Sequence, residues 1–324
     1  MAEPFIPGLI ADIGGTNARF ALTTPEGGWR DERVYRCAAF PGPAEAAAHY
    51  LAEVLTAFEP RPDRGAICVA CPVNGDHLAL TNHGAWSFSI SAVADRLGLA
   101  PFHAVNDFIA NALAIPRLGP SGLIEIGGGA GLTGAPIAAI GPGTGLGVAI
   151  LIPGRGGNRT SPLATEGGHV TLPAVTDREA VIISALRAIH GHASAERAIS
   201  GPGLVWLSEA IRAADGLEPV AETPPSVMEK GLARSCPVCA EAVDTFYALL
   251  GTVAGNLVLS TGAQGGVYLM GGILPRHPEA LRTSAFLARF HEKGRFRDYL
   301  DVVPIRLVTH PYPAFIGLAG LVSD

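Results

Sequence analysis

Asn106-Asp107 interrupts an apolar run, with Ala104-Val105 before it and Phe108-Ile109 after it. Burying a carboxylate without a partner is expensive. The pair is therefore either a surface turn or a charge kept in a pocket because some chemistry uses it. A second cluster, Asp12-Ile-Gly-Gly-Thr16-Asn17, sets a carboxylate at a strand end and a hydroxyl behind the paired glycines Gly14 and Gly15. Glycine permits φ > 0 and lets a ligand approach backbone N–H groups, as a phosphate cradle requires. Asp12 suits Mg²⁺, held through water, because that ion takes hard oxygen ligands. An ordinary hairpin turn with a solvated Asp fits this stretch equally well. A second glycine turn, Gly141-Pro-Gly143-Thr144-Gly-Leu-Gly147, weights the choice toward phosphate.

Neither turn carries the Lys-Ser/Thr ending of a Walker A loop. The first lacks the Rossmann glycine spacing, and the second opens onto Val148-Ala-Ile-Leu151 rather than a helix, so a dinucleotide oxidoreductase is a poor fit. Glu166-Gly-Gly-His169 has the composition of a metal or acid–base pair but no second ligand motif. It reads as a ligand-wrapping loop or as a polar surface loop. Glu196, ahead of Ser200-Gly-Pro-Gly203, is by itself a solvated helix charge. Cys68-Val-Ala-Cys71 and Cys236-Pro-Val-Cys239 have metal-like or redox-like spacing. The first pair lies in a strand-like run, where residues three apart face opposite sides. Reduced thiols are expected over a zinc site.

The elements that must position these residues are legible in outline. Leu9 to Leu22 reads as strand, glycine turn, strand, and Pro136 to Ile152 repeats that logic. Helices are predicted over Pro43 to Phe58, over Ser91 to Leu97 with Ser89 as cap and Gly98 as stop, and over Ala242 to Leu259. Thr176-Asp-Arg-Glu179 is a capping box opening a helix to His190. Strands are predicted at Ala66 to Ala70, between Gly265-Gly266 and Gly271-Gly272, and at Ile305 to Thr309, with a closing helix from Ala314 to Val322. Mixed strands and helices indicate an α/β class. The apolar stretch from Ala242 to Tyr268 is broken by Asp244, Asn256, Gln264 and glycines, which suits a buried helix and turn better than a membrane span.

The 324 residues allow two domains, and composition shifts to glycine and proline between Gly119 and Gly134. A net charge of -6 without a lysine/arginine tract predicts no nucleic-acid or membrane partner. Five cysteines and an N-terminal stretch without a secretory pattern predict a cytoplasmic setting.

In order along the chain, Asp12 to Arg19, Thr81-Asn-His83, Asn106-Asp-Phe108, Gly141 to Gly147, Glu166 to Val170, Ser194 to Arg197, Ser200 to Gly203, Gly265-Gly-Val267, Gly271-Gly-Ile273 and Lys293 to Phe296 resemble the bacterial glucokinase family, in the sugar kinase, hsp70 and actin ATPase superfamily. The resemblance implies two ribonuclease-H-like (actin/hexokinase-type) α/β domains flanking a deep cleft. It implies a small domain of 1–115 plus 304–324 and a large one of 116–303. The implied reaction is ATP-dependent phosphorylation of D-glucose at the 6-hydroxyl, with Mg²⁺, in a homodimer. Asp107 is the implied base. Asn106, Asp107, Glu166, His169 and Glu196 would hold glucose. Asp12, Gly14, Gly15, Thr16, Asn17, Gly143, Thr144, Gly265 and Gly266 would serve the nucleotide, and Asp12 the metal. Valine after His169 departs from the related kinases and repressors that carry a zinc motif there. A kinase for another hexose, a sugar sensor without catalysis and a polyphosphate-dependent enzyme are the alternatives.

Overall fold

The structure, a computed structural model, describes residues 5–80, 86–154 and 160–323; Thr81-Asn-His83 falls outside them. The chain divides into two units, Met1–Gly119 with His310–Asp324, and Pro120–Thr309.

In the first unit, strands β1 (Leu9–Ile13), β2 (Asn17–Thr23), β3 (Trp29–Arg36), β4 (Gly65–Val69) and β7 (Phe102–Asn106) form one sheet in the order β3-β2-β1-β4-β7, while β5 (His77–Ala79) and β6 (Ser87–Ser89) make a separate hairpin. β1, β4 and β7 run parallel, and their carboxyl ends fall level, with Ile13 opposite Val69 and Val69 opposite Asn106. Helix α1 (Pro43–Val54) stops short of the expected Phe58. Helix α2 (Ile90–Leu97) begins as expected, the Ser89 side chain accepting from the Ala92 amide, and Gly98 ends it in the left-handed region. Helix α3 (Asp107–Ala114) starts directly from β7 and packs on the C-terminal helix, Pro313–Ser323. Apolar residues fill both sheet faces: Phe20, Tyr50 and Trp86 on one, Ile10, Phe315 and Leu318 on the other.

In the second unit, β8 (Leu123–Gly127), β9 (Ile137–Pro142), β10 (Leu146–Ile152), β11 (Ser161–Ala164), β12 (Gly266–Leu269) and β13 (Ile305–Val308) form a sheet in the order β11-β10-β9-β12-β13-β8. Helices α4 (Asp177–His190), α5 (Gly201–Ala214), α6 (Pro224–Leu232) and α7 (Pro237–Thr261) follow the first four of these strands; α8 (Pro278–Thr283), α9 (Phe286–His291) and α10 (Arg297–Asp301) are short. The capping box of α4 is present, Thr176 and Glu179 satisfying each other's backbone amides. Helix α7 has the length and apolarity to cross a membrane, but 78% of its most apolar window is buried among core residues such as Leu249, Leu250 and Val253.

The expected domain limits shift. Ile305–Val308, assigned to the small domain, pairs with β12 and β8 inside the second unit's sheet. The return to the first unit thus comes at His310 rather than at residue 304. Three of its four residues are apolar and say nothing of which sheet the strand completes; Arg306 meets Glu125 of β8 and the Tyr268 hydroxyl of β12 only once that sheet is formed.

Candidate functional site

The first unit gathers its polar residues where β1, β4 and β7 end. Ligands of open parallel sheets bind outside the carboxyl ends of the strands. Asp12, Cys68 and Val105 lie side by side in register. The buried Cys68 thiol donates to Asp12 Oδ1 at 3.4 Å. Burial pushes the Asp12 carboxyl above its ordinary value, against the pull of the Cys68 hydrogen bond and of Arg19, its cross-strand partner.

One step further along, the chain leaves β7 through Asn106 and enters α3 at Asp107. Asn106 is the N-cap: its Oδ1 accepts from the Phe108 amide at 2.8 Å, and its Nδ2 donates to the Cys71 carbonyl at 3.3 Å. Its other N–H goes to the Asp107 carboxylate, which leaves one Oδ1 lone pair for a ligand. Asp107 Oδ1 also accepts from the Phe108 amide at 2.8 Å. Burial pushes the Asp107 carboxyl up; that backbone hydrogen bond pulls it down, and the nearby Asp12 carboxylate pushes it up again. Phe108, Ile109 and Ala110 are buried behind it. The surface-turn alternative is thereby excluded: Asp107 is half-buried, fixed at a strand–helix junction and more basic than an ordinary Asp.

The turn after β1 is held by its backbone. The Gly14 amide donates to the Asn17 carbonyl at 2.9 Å, and the Cys37 amide to the Thr16 carbonyl at 2.9 Å. Thr16 and Asn17 are exposed, and Gly14 and Gly15 half-buried. Neither glycine takes positive φ, so their value here is the bare backbone rather than the left-handed region. Among the described residues no group of three or more His, Cys, Asp or Glu side chains could hold a metal ion by itself. Mg²⁺ usually takes one or two carboxylates plus substrate phosphates and water. Asp12 beside a bare-backbone turn fits that demand.

In the second unit, the turn between β9 and β10 is the centre. The Gly143 amide donates to the Gly145 carbonyl at 2.8 Å, and the Gly201 amide to the Gly143 carbonyl at 2.8 Å. Thr144 is exposed at the tip. The Leu146 amide donates to Glu196 Oε2 at 2.9 Å. The Ser200 hydroxyl ties the Glu196 turn to α5 by donating to the Glu196 carbonyl at 2.8 Å and accepting from the Gly203 amide at 2.9 Å. Leu146 also seats the Glu166–His169 loop: a Cβ on Gly168 would lie 2.1 Å from the Leu146 carbonyl oxygen. Only glycine allows that approach. Glu166 and His169 are exposed, their side chains 3.9 Å apart, and the Ala195 amide donates to the Val170 carbonyl at 2.9 Å. Glu166, His169 and Glu196, separate in sequence, thus converge around one hairpin.

Beside Thr144 opens a cavity of about 480 Å³, lined by Gly143, Thr144, Gly201, Pro224, Met228, Gly272, Ile273, Arg276 and His277. Its walls are the N-terminal turns of α5 and α6 and the segment after β12. Gly265 and Gly266, expected to serve the nucleotide, are not there. Gly266 pairs with Ile137, at the amino ends of β12 and β9, whereas Gly143 and Gly272 follow the carboxyl ends of those strands. The length of β12 separates the two places, about 13 Å at strand rise. Gly265 is packed instead against the Ala135 and Pro136 carbonyls, and Gly266 against Pro304. The second glycine pair is the one at the cavity. Gly271 has φ +87, and a Cβ there would lie 2.4 Å from the Pro142 carbonyl oxygen. Met228, Arg276 and His277 carry no sequence signal; Pro219 to Pro225 reads as a loop, yet α6 begins at Pro224 with Thr223 as its cap.

Two α/β units, each with glycine turns and polar residues at the carboxyl ends of its strands, define the class of actin- and hexokinase-type sugar kinases. A family profile described as Glucokinase matches residues 9–324. A glucokinase of Paramagnetospirillum magneticum is 52% identical over 316 residues, covering 98% of this chain and 97% of that protein. The crystal structure of a glucokinase from an Antarctic psychrotroph superposes with a TM-score of 0.89 at 36% identity, covering 99% of both chains. A ROK family glucokinase from Streptomyces griseus, solved with glucose and AMPPNP, shares the fold with a TM-score of 0.63 at 18% identity, covering 98% of this chain and 99% of that one. The chain belongs to the glucokinase family, and its reaction is the ATP-dependent phosphorylation of glucose to glucose 6-phosphate.

Proposed function

We propose that Asp107 is the general base of this reaction, taking the proton of the glucose 6-hydroxyl as that oxygen attacks the γ-phosphorus of ATP. The observation that carries the assignment is the setting of Asp107: half-buried, rigidly placed at the start of α3, and pushed up in basicity by burial. Its Oδ1 is engaged by the Phe108 amide, so Oδ2 is the oxygen assigned to the substrate proton. A positioned base contributes about 10²–10⁴-fold. Asn106 accepts from a neighbouring sugar hydroxyl through the remaining lone pair of its Oδ1. Glu166, His169 and Glu196 read the remaining hydroxyls, Glu196 through Oε1 because Oε2 accepts from Leu146.

The nucleotide is assigned to the cavity beside Thr144. Its base would pack against Met228 and Ile273. The Gly143–Thr144 turn and the Gly14–Asn17 turn are each assigned to phosphate, the exposed Thr144 and Thr16 hydroxyls donating beside the backbone. Mg²⁺, bound through water by Asp12, would supply neutralisation of phosphate charge. Phosphoryl transfer asks the protein mainly for such positioning and charge stabilisation. Assembly as a homodimer in the cytoplasm belongs to the same proposal; exposed Val181 and Ile189, eight residues apart on one face of α4, offer apolar surface for it.

A sugar panel tests the polar-ring reading against that of a kinase for a different hexose. Bound glucose would cover these side chains, so each lost or inverted hydroxyl would leave a desolvated partner unmade at about 1–3 kcal/mol. Epimers and deoxy sugars should therefore fall about 5- to 150-fold below glucose in kcat/KM. Equal or better turnover of fructose or mannose would assign the site to that sugar.

A further inference from the structure

One motif has no part in sugar phosphorylation: Cys236-Pro-Val-Cys239. Cys236 is the N-cap of the 25-residue helix α7, and its Sγ accepts from the Cys239 amide at 3.4 Å. The two residues thus occupy the cap and third positions of one helix start. Helix geometry puts Cα atoms three apart at about 5 Å, inside the window of about 4.4–6.8 Å that a disulfide needs. Cys236 is partly exposed and Cys239 buried, and both are free. Behind Cys239 lies Glu222, whose side chain is only 4% exposed; the Cys239 thiol points at its Oε1 at 4.0 Å. The Glu222 carboxylate is itself held by the Ser226 hydroxyl at 2.6 Å and by Lys230 Nζ at 2.9 Å.

We infer that Cys236 and Cys239 form a redox-active dithiol that exchanges with low-molecular-weight disulfides of the glutathione type. Three features separate it from a pair of inert core thiols: one accessible sulfur at a helix N-terminus, one buried partner within bonding range, and a buried carboxylate beside that partner. A helix N-terminus and nearby cations favour thiolate. The hydrogen bond from the Cys239 thiol, the Cys239 and Val238 amides and Arg212 pull the Cys236 thiol down, whereas burial and the Cys236 and Glu222 charges push Cys239 up. The exposed sulfur is the attacking one.

The exchange balances in two steps. Cys236 thiolate attacks one sulfur of the external disulfide, forming a mixed disulfide and releasing one thiolate. The Cys239 sulfur then attacks Cys236 Sγ, its proton leaving through the Glu222 carboxylate to solvent. A second external thiolate departs. The protein dithiol has lost two electrons, and the external disulfide has gained them as two thiols.

The test equilibrates the full-length protein in reduced and oxidised glutathione, quenches by alkylation and maps thiols by mass spectrometry. The expected result is the joint loss of two alkylatable thiols on the proteolytic peptide beginning at Ser235, with the other three cysteines unchanged. In the Cys239→Ser variant, exchange should stop at one glutathionyl group on Cys236. Full alkylation of Cys236 and Cys239 in the most oxidising buffer would overturn the inference in the wild-type protein itself, whatever the variant does. So would oxidation starting at Cys37, Cys68 or Cys71.

Discussion

Replacing Asp107 by Asn removes the proposed base while leaving its surroundings almost intact. The Asn Oδ1 can still accept from the Phe108 amide, the hydrogen bond that Asp107 makes at 2.8 Å, and the Asn106 cap of α3 is untouched. Losing a negative charge at a helix N-terminus costs about 0.3–1 kcal/mol. Against that, the carboxylate is unfavourably buried and lies near Asp12, which is why its pKa is raised. The sign follows from linkage: a carboxyl raised in the folded state favours folding below its ordinary value near 3.8 and loses that contribution as pH rises through the folded value. At neutral pH the ionised Asp107 is therefore a liability that Asn removes. The two effects oppose, so stability should change by no more than about 1 kcal/mol, a few degrees in Tm. Turnover should fall about 10²–10⁴-fold, equivalent to about 2.7–5.4 kcal/mol of barrier. The assays are thermal unfolding, glucose binding by calorimetry and kcat against pH. Wild-type kcat should rise with pH along an acidic limb lying above 3.8, and that limb should vanish in the variant. Near-normal kcat in a folded Asp107→Asn protein, or an unchanged acidic limb, would refute the assignment.

Two further perturbations reach the second unit. A Cβ on Gly145 would lie 2.4 Å from Glu196 Oε2, so Gly145→Ala should displace that carboxylate and raise KM for glucose with a smaller change in kcat; steady-state kinetics showing an unchanged KM would remove Glu196 from the sugar site. Glu179 is buried, opposed by burial but held ionised by Arg289 and by the Val175 amide, which together lower its pKa below 4.5. Its contribution to stability is then present above that value and lost as pH falls through the lowered one. Breaking such a pair costs about 3–5 kcal/mol. Glu179→Leu should lower Tm by several degrees at neutral pH, and the gap to wild type should narrow in acid; a constant gap would contradict it.

Much of this was legible from residue types because local chemistry dictates local structure. The Thr176–Glu179 capping box, the Ser89 cap and the left-handed Gly98 each specify a helix end without help from the rest of the fold. The motifs around Asp12, Asp107 and Thr144 were legible for the same reason. What could not be read depended on which distant backbone lay alongside. Gly265-Gly266 and Gly271-Gly272 flank the same strand and look alike in sequence, yet only the second pair stands beside the Gly143 turn, because β12 runs parallel to β9. Ile305–Val308 completes the second unit's sheet rather than the first's, a pairing its four residues do not name. Glu196 by residue type alone is a solvated charge, and only the family resemblance gives it a role; its bond from the Leu146 amide, fifty residues away, has no local signal. Asn106 showed the reverse: its capping of α3 is a structural duty alongside the proposed one.

Phosphorus NMR of the product tests the central claim most directly. With glucose, ATP and Mg²⁺, phosphate should appear on the 6-oxygen in equal amount to the ADP formed, and both should be lost together in Asp107→Asn. ADP forming at the same rate without sugar, or phosphate appearing on another oxygen, would contradict the account.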